Sequence, residues 1–217
     1  MGLKFDLHIH TSFSTDSNNS IERIVQRAKI MGMDGIAITD HDIVKGAFIA
    51  KEYVEEKSID LIIIPGIEVS TLKGHLIVLG VEKEIPPRLT LEETIKIARK
   101  QGNLIIVPHP FHPLRHGIGD FRGLDIDAVE IFNSRYITGY SNKKAEKLAG
   151  RMGYPSVAGS DAHMAEAVGF GVTEVEADPN LDSIFTGIKK GRTKLSLHKT
   201  PLGTYLYQAY SSFFGKF

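Results

Sequence analysis

Two short runs constrain the fold more than anything else in this chain. Residues 61–64 (LIII) and 104–107 (LIIV) are apolar at every position. A strand with one wet face alternates apolar and polar side chains, whereas a strand covered on both faces has no polar side. Both runs therefore read as parallel strands buried under helices. The rest of the chain fits that reading. FDLHIHT, GIAITDHD, LIIIPGIEVS, HLIVLGV, LIIVPHP, AVEIFN, SVAGSDAH, VTEVEA and KLSLH are strand candidates. Between most of them lie segments of helical period. One runs over 20–31, with Ile21, Ile24, Val25 and Ala28 on one face, Asn19 as its cap and Glu22 completing a capping box. Others span about 47–57, 141–152 and 181–190. Thr90 and Glu93 form a second capping box before EETIKIARKQG, which stops at Gly102. HLIVLGV follows a Lys-Gly turn and reads as a hairpin partner. Residues 111–124 read as a loop over one face. Strand–helix alternation of this kind points to an α/β barrel or a doubly wound sheet.

At 217 residues, one domain is the expectation. The tail TYLYQAYSSFFGKF carries Tyr205, Tyr207, Tyr210, Phe213, Phe214 and Phe217. Their spacing reads as a final packed helix over about 200–217, with an oligomer contact or a stacking platform for bases as alternatives. Twenty-six basic residues balance 26 acidic ones, so no general field draws the chain to nucleic acid or anionic lipid. No secretory leader or membrane span is visible, and a cytoplasmic location is expected. There is no cysteine, which excludes thiolate ligands and cysteine nucleophiles. Any metal must be held by His, Asp and Glu.

Those residues gather at the carboxyl ends of the strands. The first strand ends in His8 and His10, and the second in Asp40, His41 and Asp42. The others end in Glu68, in His109, in Asn133 with Arg135 just beyond, and in Asp161 and His163. In parallel α/β folds those ends form the active face. His-x-His on a strand aims both rings one way, because side chains alternate with period two. Asp161 and His163 repeat the spacing. Imidazole with carboxylate suits zinc, manganese or iron(II). A lone histidine at a strand end is more often a surface residue than a ligand. Five strand ends with ligand-type residues favour a shared metal site.

The motifs D-L-H-I-H-T, I-T-D-H-D, G-I-E-V-S, V-P-H-P and G-S-D-A-H, in this order, resemble the PHP family, the polymerase and histidinol phosphatase domain. The resemblance implies a distorted (β/α)7 TIM-like barrel with two or three divalent ions (Zn, Mn or Fe) at the carboxyl ends of its strands. It implies one ion held by His8, His10, Glu68 and Asp161. A second would share Glu68 and add His75 and His109. A third would have Asp16, His41 and His163, although some members carry His where Asp16 stands. Asp16 also reads as a plain turn residue.

The implied activity is metal-assisted hydrolysis of a small phosphomonoester, such as a nucleotide, a sugar phosphate or histidinol phosphate. The alternatives are an exonuclease and a non-catalytic scaffold subunit. Asp161 and Arg135 are the expected catalytic residues. Arg135 and Asn133 are the expected substrate contacts, ahead of Arg115 with His116, and of His198. Ser160 is expected to orient Asp161, and Asp40 or Asp42 to hold a ligand imidazole. The expected partner is a small phosphorylated substrate, with nucleic acid less favoured and no membrane.

Overall fold

The computed structural model describes residues 2–112, 115–136, 138–201 and 203–204. Positions 205–217, with all six tail aromatics and most of the expected tail helix, lie outside the described residues. The chain runs β1 (Leu3–Ile9), α1 (Ile21–Ile30), β2 (Gly35–Ile38), α2 (Lys45–Glu56), β3 (Ile62–Thr71) and β4 (Gly74–Leu79). It continues α3 (Leu91–Lys100), β5 (Leu104–Val107), β6 (Ala128–Asn133), α4 (Tyr140–Met152) and β7 (Ser156–Gly159). A single 3₁₀ turn precedes β8 (Gly171–Val175), α5 (Leu181–Lys189) and β9 (Thr193–Leu197).

The strands form one sheet in the order β7-β6-β5-β4-β3-β2-β1-β8-β9. β1, β2 and β3 are parallel, as are β5, β6 and β7. β4 runs antiparallel to both its neighbours. Only Leu72 and Lys73 separate β3 from β4. A link that short can build only a hairpin, since a parallel crossover needs a dozen or more residues. β8 is antiparallel to β1, and β9 to β8. The sheet curls until its far end meets its middle. Beyond β7, Ala162 exchanges backbone bonds with the end of β1: His10 N donates to Ala162 O at 2.9 Å and Ala162 N to His8 O at 3.3 Å. The result is a nearly closed, TIM-like barrel, distorted by the reversed fourth strand.

One buried residue from each of the first seven strands meets in a single cluster: Leu7, Ala37, Ile64, Ile77, Ile106, Ala128 and Val157. These fill the lumen and give it an apolar floor. Outside the barrel, α1 and α2 lay Ile24, Val25, Ala28, Ala47 and Ala50 against β2. α3 and the 111–124 loop bury Ile95, Ile118 and Phe121 over β3 to β6. Full burial of one such large side chain stabilises by about 1.5–3 kcal/mol. Among the described residues, no helix is long and apolar enough to cross a membrane.

The Thr90–Glu93 capping box is present as expected. The cap of α1 falls one residue later than expected. Ser20 accepts from Arg23 N at 3.4 Å, while buried Asn19 turns its amide to His10 O at 3.3 Å. Held by that bond, the Asn19 side chain is turned toward the β1 exit, and Ser20 takes the cap instead.

Candidate metal centre

Above the apolar floor, the strand ends deliver a dense set of imidazoles around one carboxylate. Glu68, near the middle of β3, is 1% exposed. Its Oε1 lies 3.0 Å from His75 Nδ1 and 2.9 Å from His109 Nε2. Its Oε2 lies 3.4 Å from His8 Nε2, 3.3 Å from His10 Nε2 and 3.3 Å from His41 Nδ1. Five imidazoles thus share one carboxylate, divided between its two oxygens. The hairpin explains His75. Its register partner is Ser70, two residues from Glu68, so both residues face the same side of the β3–β4 ladder.

His8 and His10 point the same way, as their spacing predicts, and their Nε2 atoms are 3.1 Å apart. Asp161 Oδ1 stands 3.8 and 3.6 Å from those two nitrogens. Deeper in the wall, His8 Nδ1 donates to Glu130 Oε1 at 3.0 Å, and His10 Nδ1 lies 3.2 Å from Ser14 Oγ. In a neutral His8 the proton held at Nδ1 leaves an Nε2 lone pair facing His10 Nε2. Two imidazole nitrogens this close, flanked by the Glu68 and Asp161 carboxylates, suit a shared cation. The donors therefore fit a divalent ion. Ligand-type atoms lie within 4.8 Å of one another in four groups: His8, His10 and Glu68; His8, His109 and Asp161; His41, Glu68 and His75; and His10, Asp16, His41 and His163. The last contains the expected third set, with Asp16 Oδ2 at the rim 2.7 Å from His163 Nε2 and 3.5 Å from His41 Nε2. His75 and His109, expected together in the second set, both approach Glu68 Oε1.

The electrostatics follow from packing charges into a dry space. Burial works against ionising Glu68, but the imidazoles of His75, His41 and His8 outweigh it and hold its pKa well below the usual range. Burial likewise opposes protonation of His8, yet the charges of Glu68, Glu130 and Asp161 hold it well above. His10, buried beside His163, is held well below. Burial also opposes protonation of His41, and the Glu68 and Asp16 carboxylates raise it to about 9. For Asp161, Arg135 and His8 overcome desolvation and keep the carboxyl ionised.

Several expectations are corrected here. Asp161 and His163 are not displayed by strand alternation. β7 stops at Gly159, and Asp161 takes a left-handed backbone (φ 53). His109 is also left-handed (φ 30). Such conformations cost about 1–3 kcal/mol each in non-glycine residues and persist where surrounding contacts impose them. Ser160 does not serve Asp161: its hydroxyl donates to His8 O at 3.3 Å. Asp40 and Asp42 do not hold imidazoles either. Asp40 accepts from Thr11 N and Thr11 Oγ1, both at 2.6 Å, and Asp42 from Ser70 N at 2.7 Å.

Asn133 is not placed to touch a substrate. It is 0% exposed, and its amide donates to Glu130 and Asp161. Arg135 sits one layer deep, donating to Asp161 Oδ1 at 2.9 Å and lying 2.8 Å from His163 Nδ1. The cavity over the His/Asp/Glu cluster, about 190 Å³, is lined instead by Arg115 and His116 from the 111–124 loop. Arg115 reaches Asp161 Oδ2 at 3.3 Å. His198 lies in a separate groove beside Lys4, Met31 and Met33. Sequence reasoning missed Glu130, Ser14 and Asp6. The signal for Glu130 was its carboxylate inside an otherwise apolar strand, AVEIFN.

A model of the PHP domain matches residues 6–109, and one of the PHP-associated segment matches 139–193. The chain belongs to the PHP family. An uncharacterized protein of Methanocaldococcus jannaschii is 36% identical over 154 residues, covering 66% of this chain and 89% of that protein. A phosphoribosyl 1,2-cyclic phosphate 1,2-diphosphodiesterase of Eggerthella lenta is 33% identical over 87 residues, 37% of this chain and 32% of that one. The 5'-3' exoribonuclease Rnm of Salmonella typhimurium is 33% identical over 106 residues, 46% of this chain and 36% of its own. This PHP chain thus matches only about a third of each of those two enzymes. A two-domain protein from Bacteroides vulgatus, described as containing a predicted PHP-like metal-dependent phosphoesterase, shares the fold. Its TM-score is 0.75 at 19% identity, over 91% of this chain and 65% of that one.

Proposed function

We propose that this PHP chain is a metal-dependent hydrolase of a small phosphomonoester. The observation that carries the reading is the Glu68 carboxylate with five imidazole nitrogens within 3.4 Å of its two oxygens. Family membership and the phosphodiester chemistry named for its relatives support it. Two or three divalent ions held by His8, His10, Asp16, His41, Glu68, His75, His109, Asp161 and His163 would supply positive charge to a phosphoryl group and lower the pKa of water.

The chain's own residues supply the rest. Glu68 and Asp161 stay ionised, so they offer anionic anchors at neutral pH. Arg115 presents a guanidinium to the cavity, where it can take phosphoryl oxygens in a charge-assisted pair. Arg135 and Asn133 fix the Asp161 carboxylate from behind. The apolar floor and the loop over the mouth keep the site poor in water, which strengthens every charge interaction in it.

The test is metal analysis of the purified protein, then hydrolysis of mononucleotides, sugar phosphates, histidinol phosphate and short oligonucleotides with Mn²⁺, Zn²⁺ or chelator. Chelator-sensitive release of phosphate is expected. A metal-free protein with no such activity would remove the reading. The likeness to the exoribonuclease favours a second reading, stepwise attack on oligonucleotide ends. It predicts turnover of oligonucleotides ahead of every monoester.

A further inference from the structure

Glu130 has no place in the ligand set, yet it accepts three hydrogen bonds beneath it. It lies mid-strand in β6 and is 2% exposed. Oε1 accepts from His8 Nδ1 at 3.0 Å. Oε2 accepts from His109 N at 2.9 Å and from Asn133 Nδ2 at 3.1 Å. Gly159 leaves the room for this, because a methyl group there would run into both Glu130 Oε1 and His8 Cβ. One side chain thus grips the ring of His8, the backbone of His109 and the amide that steadies Asp161.

The ring contact has a chemical consequence. A neutral imidazole carries one proton, and whichever nitrogen holds it cannot ligate. A carboxylate only accepts, so Glu130 requires the proton of His8 to sit on Nδ1. That leaves Nε2 as a lone pair facing His10 Nε2, Glu68 and Asp161. Ser14 sits against His10 Nδ1 in the same way, but a hydroxyl can accept or donate and imposes no tautomer alone. We propose that Glu130 is a positioning residue that fixes the Nδ1–H tautomer of His8 and thereby makes Nε2 a metal ligand. The proposal rests on the metal-site reading above.

Glu130→Gln tests it, because the amide keeps the shape and cannot satisfy all three partners. With its oxygen on His109 N and Asn133 Nδ2, the NH₂ faces His8 Nδ1 and drives the ring proton to Nε2. Zinc titration by calorimetry and long-range ¹H–¹⁵N spectra of the histidine rings are the readouts. In the wild type with zinc, His8 is expected to show a protonated Nδ1 and a metal-shifted Nε2. In Glu130→Gln, zinc affinity is expected to fall at least tenfold, with the His8 signals moving to the Nε2–H pattern. Unchanged affinity with an unchanged tautomer overturns the proposal. If the variant fails to fold, the wild-type spectrum still decides: a His8 that ligates through Nδ1 overturns it, and Nδ1–H supports it. A wild type that binds no zinc or manganese removes the metal-site reading itself, a distinct result.

Discussion

At the scale of the residue, the site separates groups that line the cavity from groups that hold others still. Arg115 lines the cavity and is not among the ligand-type residues, so its loss should leave metal binding intact. A charged hydrogen bond contributes about 1.5–3 kcal/mol, which converts to roughly 10- to 100-fold in kcat/KM. Arg115→Ala should show that drop in steady-state kinetics with unchanged metal content, and loss of metal would reassign the residue. Asp40 makes a different point. Burial raises its pKa from 3.8 to about 6 against two bonds from Thr11. A raised folded-state pKa means a stabilising contribution that is full below 3.8 and lost as pH rises through about 6. Asp40→Asn can keep both Thr11 bonds without ionising. Its melting temperature relative to the parent should therefore climb between pH 4 and pH 7, by up to the equivalent of about 2–3 kcal/mol. A constant offset across that range would refute the assignment.

At the scale of the element, capping and turn length explain most of what happens. Thr90 and Glu93 close the N-terminus of α3 reciprocally. Thr90→Ala should cost about 1 kcal/mol, read as a shift in the urea midpoint. The Thr90 backbone and hydroxyl bonds lower the pKa of Glu93. The cap's contribution is thus present above the unfolded pKa of Glu93 and fades as pH falls through the lowered value. The Thr90→Ala deficit should shrink in acid. The same capping logic erred at α1 because it saw the Asn19–Glu22 spacing and not the tertiary demand on Asn19. The two-residue turn between β3 and β4 was legible as a hairpin. Its effect on the site was not, since a hairpin signal does not say which face His75 shares.

At the scale of the whole molecule, the barrel closes on the candidate ligands themselves. His8 and His10 bond through their backbones to the segment carrying Asp161 and His163, so closure depends on the same residues whose side chains could hold an ion. Gly171 lies so close to Gly159 that a methyl group would strike its carbonyl. Ions that bind the folded state alone stabilise it by mass action, about 2.7 kcal/mol at 100-fold excess over Kd. For a chain of this size that corresponds to roughly 5–10 °C. Chelation should lower the melting temperature by about that amount and added Mn²⁺ should restore it. A melting curve indifferent to both would argue that the cluster holds no ion.

The division between sequence and structure follows from the range of the forces involved. Strand runs, helix periods and the His-x-His spacing are local, and local geometry aims His8 and His10 together wherever the strand goes. The ordered motifs were enough to name the family and its ligand types. Packing alone decided the rest. Asp161 reaches the site through a left-handed turn that no spacing announces. Arg115 displaced Arg135 at the cavity because a loop folded back over the mouth. Glu130 became a partner of His8 across 122 residues, a contact that exists only once β6 and β1 lie in the same wall. Such contacts depend on which buried groups are left needing a partner, and a linear chain carries no record of that until the barrel closes.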